Sequence, residues 1–483
     1  MNSAPDSTLP LCVDLDGTLI KSDLLWEALV RLVKRNPAQV LLLPFWLAKG
    51  LANFKRQIAR RAPVDVALLP YRAELVSRLT EMKAAGRPLV LATATDSEQA
   101  KQVAAHAGLF TEVMGSDGRT NLRGAAKAEA LVKRYGERGF DYAGDSTRDL
   151  PVWQRARSAI VVATPGGSLE KAAGKVSNIV LTLPSGPPKW QAALKAMRPY
   201  QWCKNLIIFV PLLASHRFTQ LPLLMRSIDG FVAFCAAASA VYVANDLLDL
   251  DSDRRHAIKC RRGFASGDLP ISWGLVMAPG LIVAAFAVAL TVGAEFQMLL
   301  LVYLLLSSAY SHWAKQVPLL DVFILTTLYT MRLIAGHSVT GILLSNWLFI
   351  FSLFIFLSLA LAKRYVEVTG SPAGLATVHG RGYKPGDSSL LAELGIGNGL
   401  MSVLVLALYA KSPEAALLYL HPGRLLLICP LFMYWISRVW LLAHRGQLHE
   451  DPVVFTLRDK VSYLLAVLAL GIFWFASSHR LLP

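Results

Sequence analysis

Asn245-Asp246-Leu247-Leu248-Asp249-Leu250-Asp251-Ser252-Asp253-Arg254-Arg255-His256-Ala257-Ile258-Lys259-Cys260-Arg261-Arg262 follows directly on a long apolar run. Asn245, Asp246, Asp249 and Asp253 recur at three- and four-residue spacing and so share one helical face. A row of carboxylates at the end of an apolar helix is costly unless something offsets it. A solvated helix end paired with its own arginines would do so. A divalent cation holding a diphosphate accounts for the grouping better: carboxylates suit Mg2+, and the cations that follow, Lys259 and Arg262, suit phosphate oxygens.

Outward from this stretch, the C-terminal part of the chain reads as about nine membrane-spanning segments, near 204–222, 228–248, 272–292, 295–313, 319–338, 344–362, 392–410, 423–443 and 462–480, with Pro211 interrupting the first. The composition agrees. Over 483 residues the apolar fraction is 54% and the charged fraction 17%, which excludes a wholly soluble domain, a disordered chain and a disulfide scaffold. Charges number 44 in residues 1–190 but only 38 in the remaining 293. The five cysteines form no C-x-x-C pair, so no zinc or redox motif is indicated. Alternate loops carry 13 Lys and Arg against 4, which puts the N-terminal part in the cytoplasm and the chain, multi-pass, in the cell (inner) membrane. The net charge of +16 then reflects topology and anionic lipid, not nucleic acid.

The N-terminal part alternates strands and helices, the pattern of an α/β domain with a parallel sheet. Leu11-Cys12-Val13 runs into Asp14-Leu15-Asp16-Gly17-Thr18; Leu89-Val90-Leu91-Ala92 ends in Thr93; Asp141-Tyr142-Ala143 ends in Gly144-Asp145-Ser146-Thr147-Arg148-Asp149; and Lys127 opens a helix after Gly124. In this order the four pieces closely resemble the haloacid dehalogenase (HAD) phosphatases over residues 10–176. The resemblance implies a Rossmann-like fold with Asp14 as nucleophile and Asp16 as general acid and base. It also implies Thr93 and Lys127 on the phosphoryl oxygens, and Mg2+ held by Asp14, the Asp16 carbonyl and Asp145, with Asp149 behind. A helical insert near 20–80 would be a small cap. The expected domains are 1–185, a linker at 186–194 after Ser185-Gly186-Pro187-Pro188, and 195–483.

N-D-x-x-D-x-x-x-D after the second membrane segment resembles the UbiA superfamily of all-helical, Mg2+-dependent intramembrane prenyltransferases. Further details are similar to its decaprenyl-phosphate phosphoribosyltransferase branch: Arg198-Pro199-x-Gln201-Trp202-x-Lys204-Asn205, Asp253-Arg254-x-His256-x-x-Lys259, Tyr310-Ser311-x-x-x-Lys315, Arg332-x-x-Ala335-Gly336 and Lys363-Arg364-x-x-Glu367. Two features depart from it: Ala257 and the 262–267 stretch differ from that branch, and a second D-x-x-x-D motif is incomplete, Asp321 being followed by Leu325. The resemblance implies transfer of 5-phosphoribose from phosphoribosyl diphosphate (PRPP) to a polyprenyl phosphate. Asn245, Asp246, Asp249 and Asp253 would hold Mg2+ on the diphosphate, and Lys259 and Arg262 would take phosphate charge. Lys315, Arg332, Lys363 and Arg364 would position the lipid phosphate, and Lys204, Tyr310, Asp321 and Glu367 complete the implied substrate site. Two alternatives stand: prenyl transfer from a polyprenyl diphosphate to an aromatic or other acceptor, and a phosphatase on a membrane anchor. Oligomeric state is left open, self-association included.

Within the cap, no acidic residue lies between Glu27 and Asp65, while Arg31, Lys34, Arg35, Lys49, Lys55, Arg56, Arg60 and Arg61 flank the apolar run Val40–Ala48. Eight unopposed cations beside Phe45 and Trp46 lead to the expectation that the cap docks on an anionic membrane surface.

Overall fold

Strand β1 (Leu11–Val13) is central to a six-stranded sheet with β2 (Leu89–Asp96), β3 (Glu112–Ser116), β4 (Asp141–Gly144), β5 (Ser158–Ala163) and β6 (Asn178–Pro184). The order is β3-β2-β1-β4-β5-β6 and all pairings are parallel. A parallel sheet is covered on both faces, so its strands are apolar throughout. Leu11 and Val13 enter one core, with Leu89 and Leu91; Cys12 enters the other, with Val90 and Tyr142. The chain crosses from one half of the sheet to the other between β1 and β4, where Val13 pairs with Ala143. At that switch point the strand ends open a crevice.

This computed structural model describes residues 9–117, 120–370, 381–448, 451–456 and 458–477. The chain forms two compact units, residues 1–197 with 243–277 and residues 198–242 with 278–483. They do not follow a single linear boundary, because the aspartate-rich loop belongs with the sheet.

In the first unit, β1 is followed by a helical cap: α1 (Leu24–Arg35), a 3-10 turn (Pro37–Leu42), α2 (Leu43–Ala48) and α3 (Leu51–Arg61). Asp23 caps α1 by accepting from the Leu25 N–H. Leu24, Ala28, Leu32 and Ile58 bury their apolar faces in the same core as Leu11 and Val13. Helix α4 (Ala125–Tyr135) carries Lys127.

Among the described residues, eight helices are long and apolar enough to cross a membrane. They include α5 (Leu221–Leu248), Ile271–Val292, α7 (Leu320–Thr340) and α8 (Asn346–Thr369). Short helix α6 (Leu250–Arg255) follows α5 after a break at Asp249. The segment expected to span near 204–222 does not. It forms a 3-10 helix at Pro199–Phe209 and a five-residue helix at Val210–Ala214. Pro211 withdraws a backbone donor, and buried Lys204 and Asn205 require polar partners, so no uninterrupted apolar helix forms.

Candidate functional sites

Backbone pairing brings the first carboxylates together: Asp14 N–H donates to the Ala143 carbonyl (3.0 Å), so the ends of β1 and β4 are adjacent. One oxygen from each of Asp14, Asp145 and Asp149 lies within 4.8 Å of the others. Gly17, at φ +79°, makes this possible, because a Cβ there would lie 2.1 Å from the Asp145 carboxylate. Lys127 Nζ is 2.9 Å from Asp14 Oδ1 and donates to the Tyr142 hydroxyl (2.8 Å), which donates to Asp149 (3.0 Å). Asp149 also accepts from the N–H groups of Asp145 (3.2 Å) and Ser146 (3.0 Å). Asp16 accepts from Leu24 N–H (2.9 Å) and the Thr95 hydroxyl (2.6 Å), and Thr93 accepts from Thr95 N–H (3.1 Å).

Burial and crowding set the charges. Burial raises Asp145 to about 8, helped by Asp149 and Asp14. Burial raises Asp16 to about 7 and Asp14 to about 6, the latter against the pull of Lys127. Burial opposes the Lys127 charge, but Asp14 and Asp149 outweigh it and raise its pKa. Such a set of carboxylate oxygens, strained by like charge, fits a hard divalent cation. Two residues not foreseen complete the site: Thr95, and Lys55 of the cap, whose Nζ donates to the Ala94 carbonyl (2.8 Å). Thr95 lies two residues beyond Thr93 on the same strand face, a signal the period of two offered. Lys55 gave none.

The aspartate-rich loop lies in the same unit. Arg262 Nη1 donates to both Asp246 (3.1 Å) and Asp253 (2.7 Å). Arg262 thus neutralises two buried carboxylates of the loop at once. Asn245 and Asp249 are half-buried and Lys259 is exposed. Arg31 is buried and ion-paired, and Lys34 and Lys55 donate to backbone carbonyls, which corrects the expectation that all eight cap cations are unopposed. Arg31 pairs with Glu27 (2.9 Å) and with Asp251. Lys34 Nζ donates to the Leu248 carbonyl (2.5 Å), and Lys55 is used as above. Glu27, fully buried, also receives Arg254 (2.6 Å). Charge pairing thus fastens the cap to the loop.

In the second unit the remaining residues fall into separate groups. Arg364 and Asp321 are both fully buried and ion-paired; Arg364 also pairs with Glu367 and donates to the Tyr310 hydroxyl (2.7 Å), while the Tyr383 hydroxyl donates to Asp321 (2.6 Å). Arg332 donates to Asn205 (2.8 Å) and to the Tyr303 hydroxyl (3.3 Å). Lys204 and Lys363 share one oxygen of Asp451, at 2.7 and 3.1 Å, and Tyr329 donates to the other (3.1 Å). Lys315 lies half-buried in a 3-10 turn. Asp451 was not foreseen, since nothing in its local sequence announces a partner some 250 residues away. Burial alone would raise its carboxyl, but Lys363 and Lys204 outweigh it and hold it well below the usual range. Beside this pair is an apolar cavity of about 380 Å³ lined by Cys203, Ile207, Phe351, Phe432, Trp435 and Val453 among others. Cys203 is the neighbour of Lys204, and Val453 lies two residues from Asp451.

Two family models match the chain, and the second of the two stretches of the first unit, residues 243–277, falls within the C-terminal match. The UbiA prenyltransferase family model matches residues 207–459, and the haloacid dehalogenase-like hydrolase model matches residues 11–154. Uncharacterized protein y4nM of Sinorhizobium fredii is 38% identical over 97% of this chain and 91% of its own length. Nodulation protein NoeC of Azorhizobium caulinodans is 34% identical over 58% of this chain and 91% of its own. The decaprenyl-phosphate phosphoribosyltransferase of Corynebacterium glutamicum is 34% identical over 38% of this chain and 57% of its own.

Proposed function

The chain belongs to the UbiA prenyltransferase family and carries a haloacid dehalogenase-like domain, and from that premise we propose that it performs two reactions on one lipid. In the first, 5-phosphoribose passes from PRPP to a polyprenyl phosphate: the bond from the anomeric carbon to diphosphate breaks, and a lipid phosphate oxygen bonds to that carbon from the opposite face. In the second, the N-terminal site removes the 5-phosphate from the lipid-linked product. In this reading the N-terminal domain is cytoplasmic and the membrane is the cell (inner) membrane.

One observation carries the choice of acceptor. Lys204 and Lys363 converge on a single carboxylate oxygen beside an apolar cavity, while Asp321 is wholly engaged with Arg364 and Tyr383. A lipid monophosphate is an anion on an apolar tail, and two ammonium groups at the edge of a dry cavity suit it. A second metal on a diphosphate would need Asp321 released, and Leu325 offers no carboxylate. The relative named decaprenyl-phosphate phosphoribosyltransferase supports a phosphoribosyl group and a polyprenyl phosphate as the two partners of transfer.

When bound, Mg2+ supplies positive charge to the departing diphosphate and to the transferring phosphoryl group; Asn245, Asp246, Asp249 and Asp253 would hold it in one site, and Asp14, Asp145 and the Asp16 carbonyl, backed by Asp149, in the other. Lys259 and Arg262 take phosphate charge as Arg262 exchanges its carboxylate partners for substrate. In the phosphatase site Asp14 attacks phosphorus, and Asp16, with a pKa near 7, gives its proton to the leaving sugar oxygen. The same carboxylate then takes a proton from the water that opens the aspartyl-phosphate, while Lys127 and Thr93 hold the phosphoryl oxygens.

Membranes containing the chain, given labelled PRPP and polyprenyl phosphate, are expected to form a phosphoribosyl lipid. Asp246→Ala should abolish it, whereas Asp14→Asn should leave transfer intact and accumulate the 5-phosphorylated lipid, read by mass spectrometry. Product only from a polyprenyl diphosphate donor would mean prenyl transfer instead.

A further inference from the structure

Among the apolar side chains of α2 and the 3-10 turn before it, Trp46 is buried, with the Arg61 guanidinium 4.6 Å from its ring centroid. Leu41 is 76% exposed and Phe45 68%, and Val40, Leu42, Leu47 and Leu51 are exposed as well. Six adjacent exposed apolar side chains make a patch that a water-facing cap does not sustain without a partner. Arg35, Lys49 and Arg60 are exposed around it, and residues 28–64 contain no carboxylate.

The position of this patch is fixed by contacts within the same compact unit. Helix α1, which leads into it, is held to the loop after α5 by the Arg31–Asp251 and Arg254–Glu27 pairs. Lys34 donates to the carbonyl of Leu248, the last residue of an apolar helix long enough to span a bilayer. The chain leaves α1 at Asn36, two residues later, so the patch starts beside the end of a membrane-crossing helix. Twelve helical residues extend at most about 20 Å, and an interfacial helix buries its apolar face some 5–10 Å into the headgroup layer.

We propose that residues 37–51 are an interfacial foot, with Leu41, Phe45 and Leu47 inserted among the acyl chains where α5 ends and with Arg35, Lys49 and Arg60 on anionic lipid headgroups. The occupant of the patch is the bilayer surface. Charge complementarity and continuity with a spanning helix select it over a soluble protein, for which a cationic rim at a membrane boundary has no use. The foot keeps the crevice at Asp14 close to headgroups, independently of what that crevice hydrolyses.

The test uses the full-length chain in nanodiscs of phosphatidylcholine and phosphatidylglycerol at 3:1. Cys203, Cys260 and Cys429 are changed to Ser; a bimane label is placed at Phe45→Cys or, as control, at Lys101→Cys on the exposed polar helix Ser97–Ala107. With acyl-brominated lipids the label at 45 should be quenched at least threefold more strongly than that at 101. Adding Leu41→Glu and Leu47→Glu should reduce the difference, and replacing phosphatidylglycerol with phosphatidylcholine should weaken it. Equal quenching at 45 and 101 would overturn the proposal. So would a label at 45 that is shielded without bromine quenching and in proportion to protein concentration, the signature of a second copy covering the patch.

Discussion

Asp145 binds its proton more tightly in the folded chain than an ordinary carboxyl does, its pKa raised to about 8 by burial and by Asp149 and Asp14. Between pH 4 and 8 the folded state therefore holds more protons than the unfolded one, so without metal this domain loses stability as pH rises. A cation reverses the penalty by displacing those protons. Half-saturating Mg2+ for phosphate hydrolysis should accordingly fall steeply from pH 6 to 8, with proton release on binding; a flat dependence would refute the crowding described for these carboxylates. Asp321 makes the opposite case. Removing it leaves the Arg364 guanidinium buried beside Glu367 alone, at a cost of about 3–5 kcal/mol. Asp321→Ala should thus lower the denaturation temperature of the solubilised protein, and Asp321→Leu with Arg364→Met should recover much of the loss. If Asp321 held substrate instead, the single variant would keep its stability and lose affinity.

At the scale of elements, the strand-end motifs were legible because each pairs a polar residue with a β-strand of period two, and parallel pairing then fixes which ends meet. The D-x-x-D-x-x-x-D face was equally legible from helical spacing, although the helix breaks at Asp249. What the sequence could not give was tertiary pairing. Arg31 looked like a surface cation because its partner, Asp251, is 220 residues away; Asp451 belongs to no motif, its partner Lys204 being 247 residues away. The eight helices long enough to span among the described residues were readable from apolar length, and the segment at 204–222 does not form one long helix because average hydropathy does not register what Pro211 does to a helix. The cap's attachment is testable here. Glu27 is buried under two arginines, so Glu27→Ala should strip Arg254 of its carboxylate and leave Arg31 with Asp251 alone, cost about 3–5 kcal/mol, and open α1–α3 to limited proteolysis, whereas Arg255→Ala on the exposed rim should change little.

For the molecule as a whole, two chemistries in one chain call for separable failures. Lys204→Met with Lys363→Met should raise the KM for lipid phosphate at least tenfold and leave that for PRPP unchanged, because this pair of ammonium groups, one buried and one half-buried, serves only the acceptor in the proposed reaction. An equal rise for both substrates would move these lysines to another role. The charge staple between residues 27–31 and 251–254 also has a consequence in time. A ribosome adding 5–20 residues per second needs about 10–45 seconds to travel from Arg31 to Asp251. Throughout that interval Glu27 and Arg31 have only each other as charge partners, and the cap has its apolar contacts with the core of the sheet but not its pairs to the loop. The nascent N-terminal domain can close its sheet only after β6 emerges and can complete the charge pairing of its cap only after the loop behind α5 has been made, so the last fastening of this domain waits on a stretch of chain that follows an apolar helix long enough to cross a bilayer.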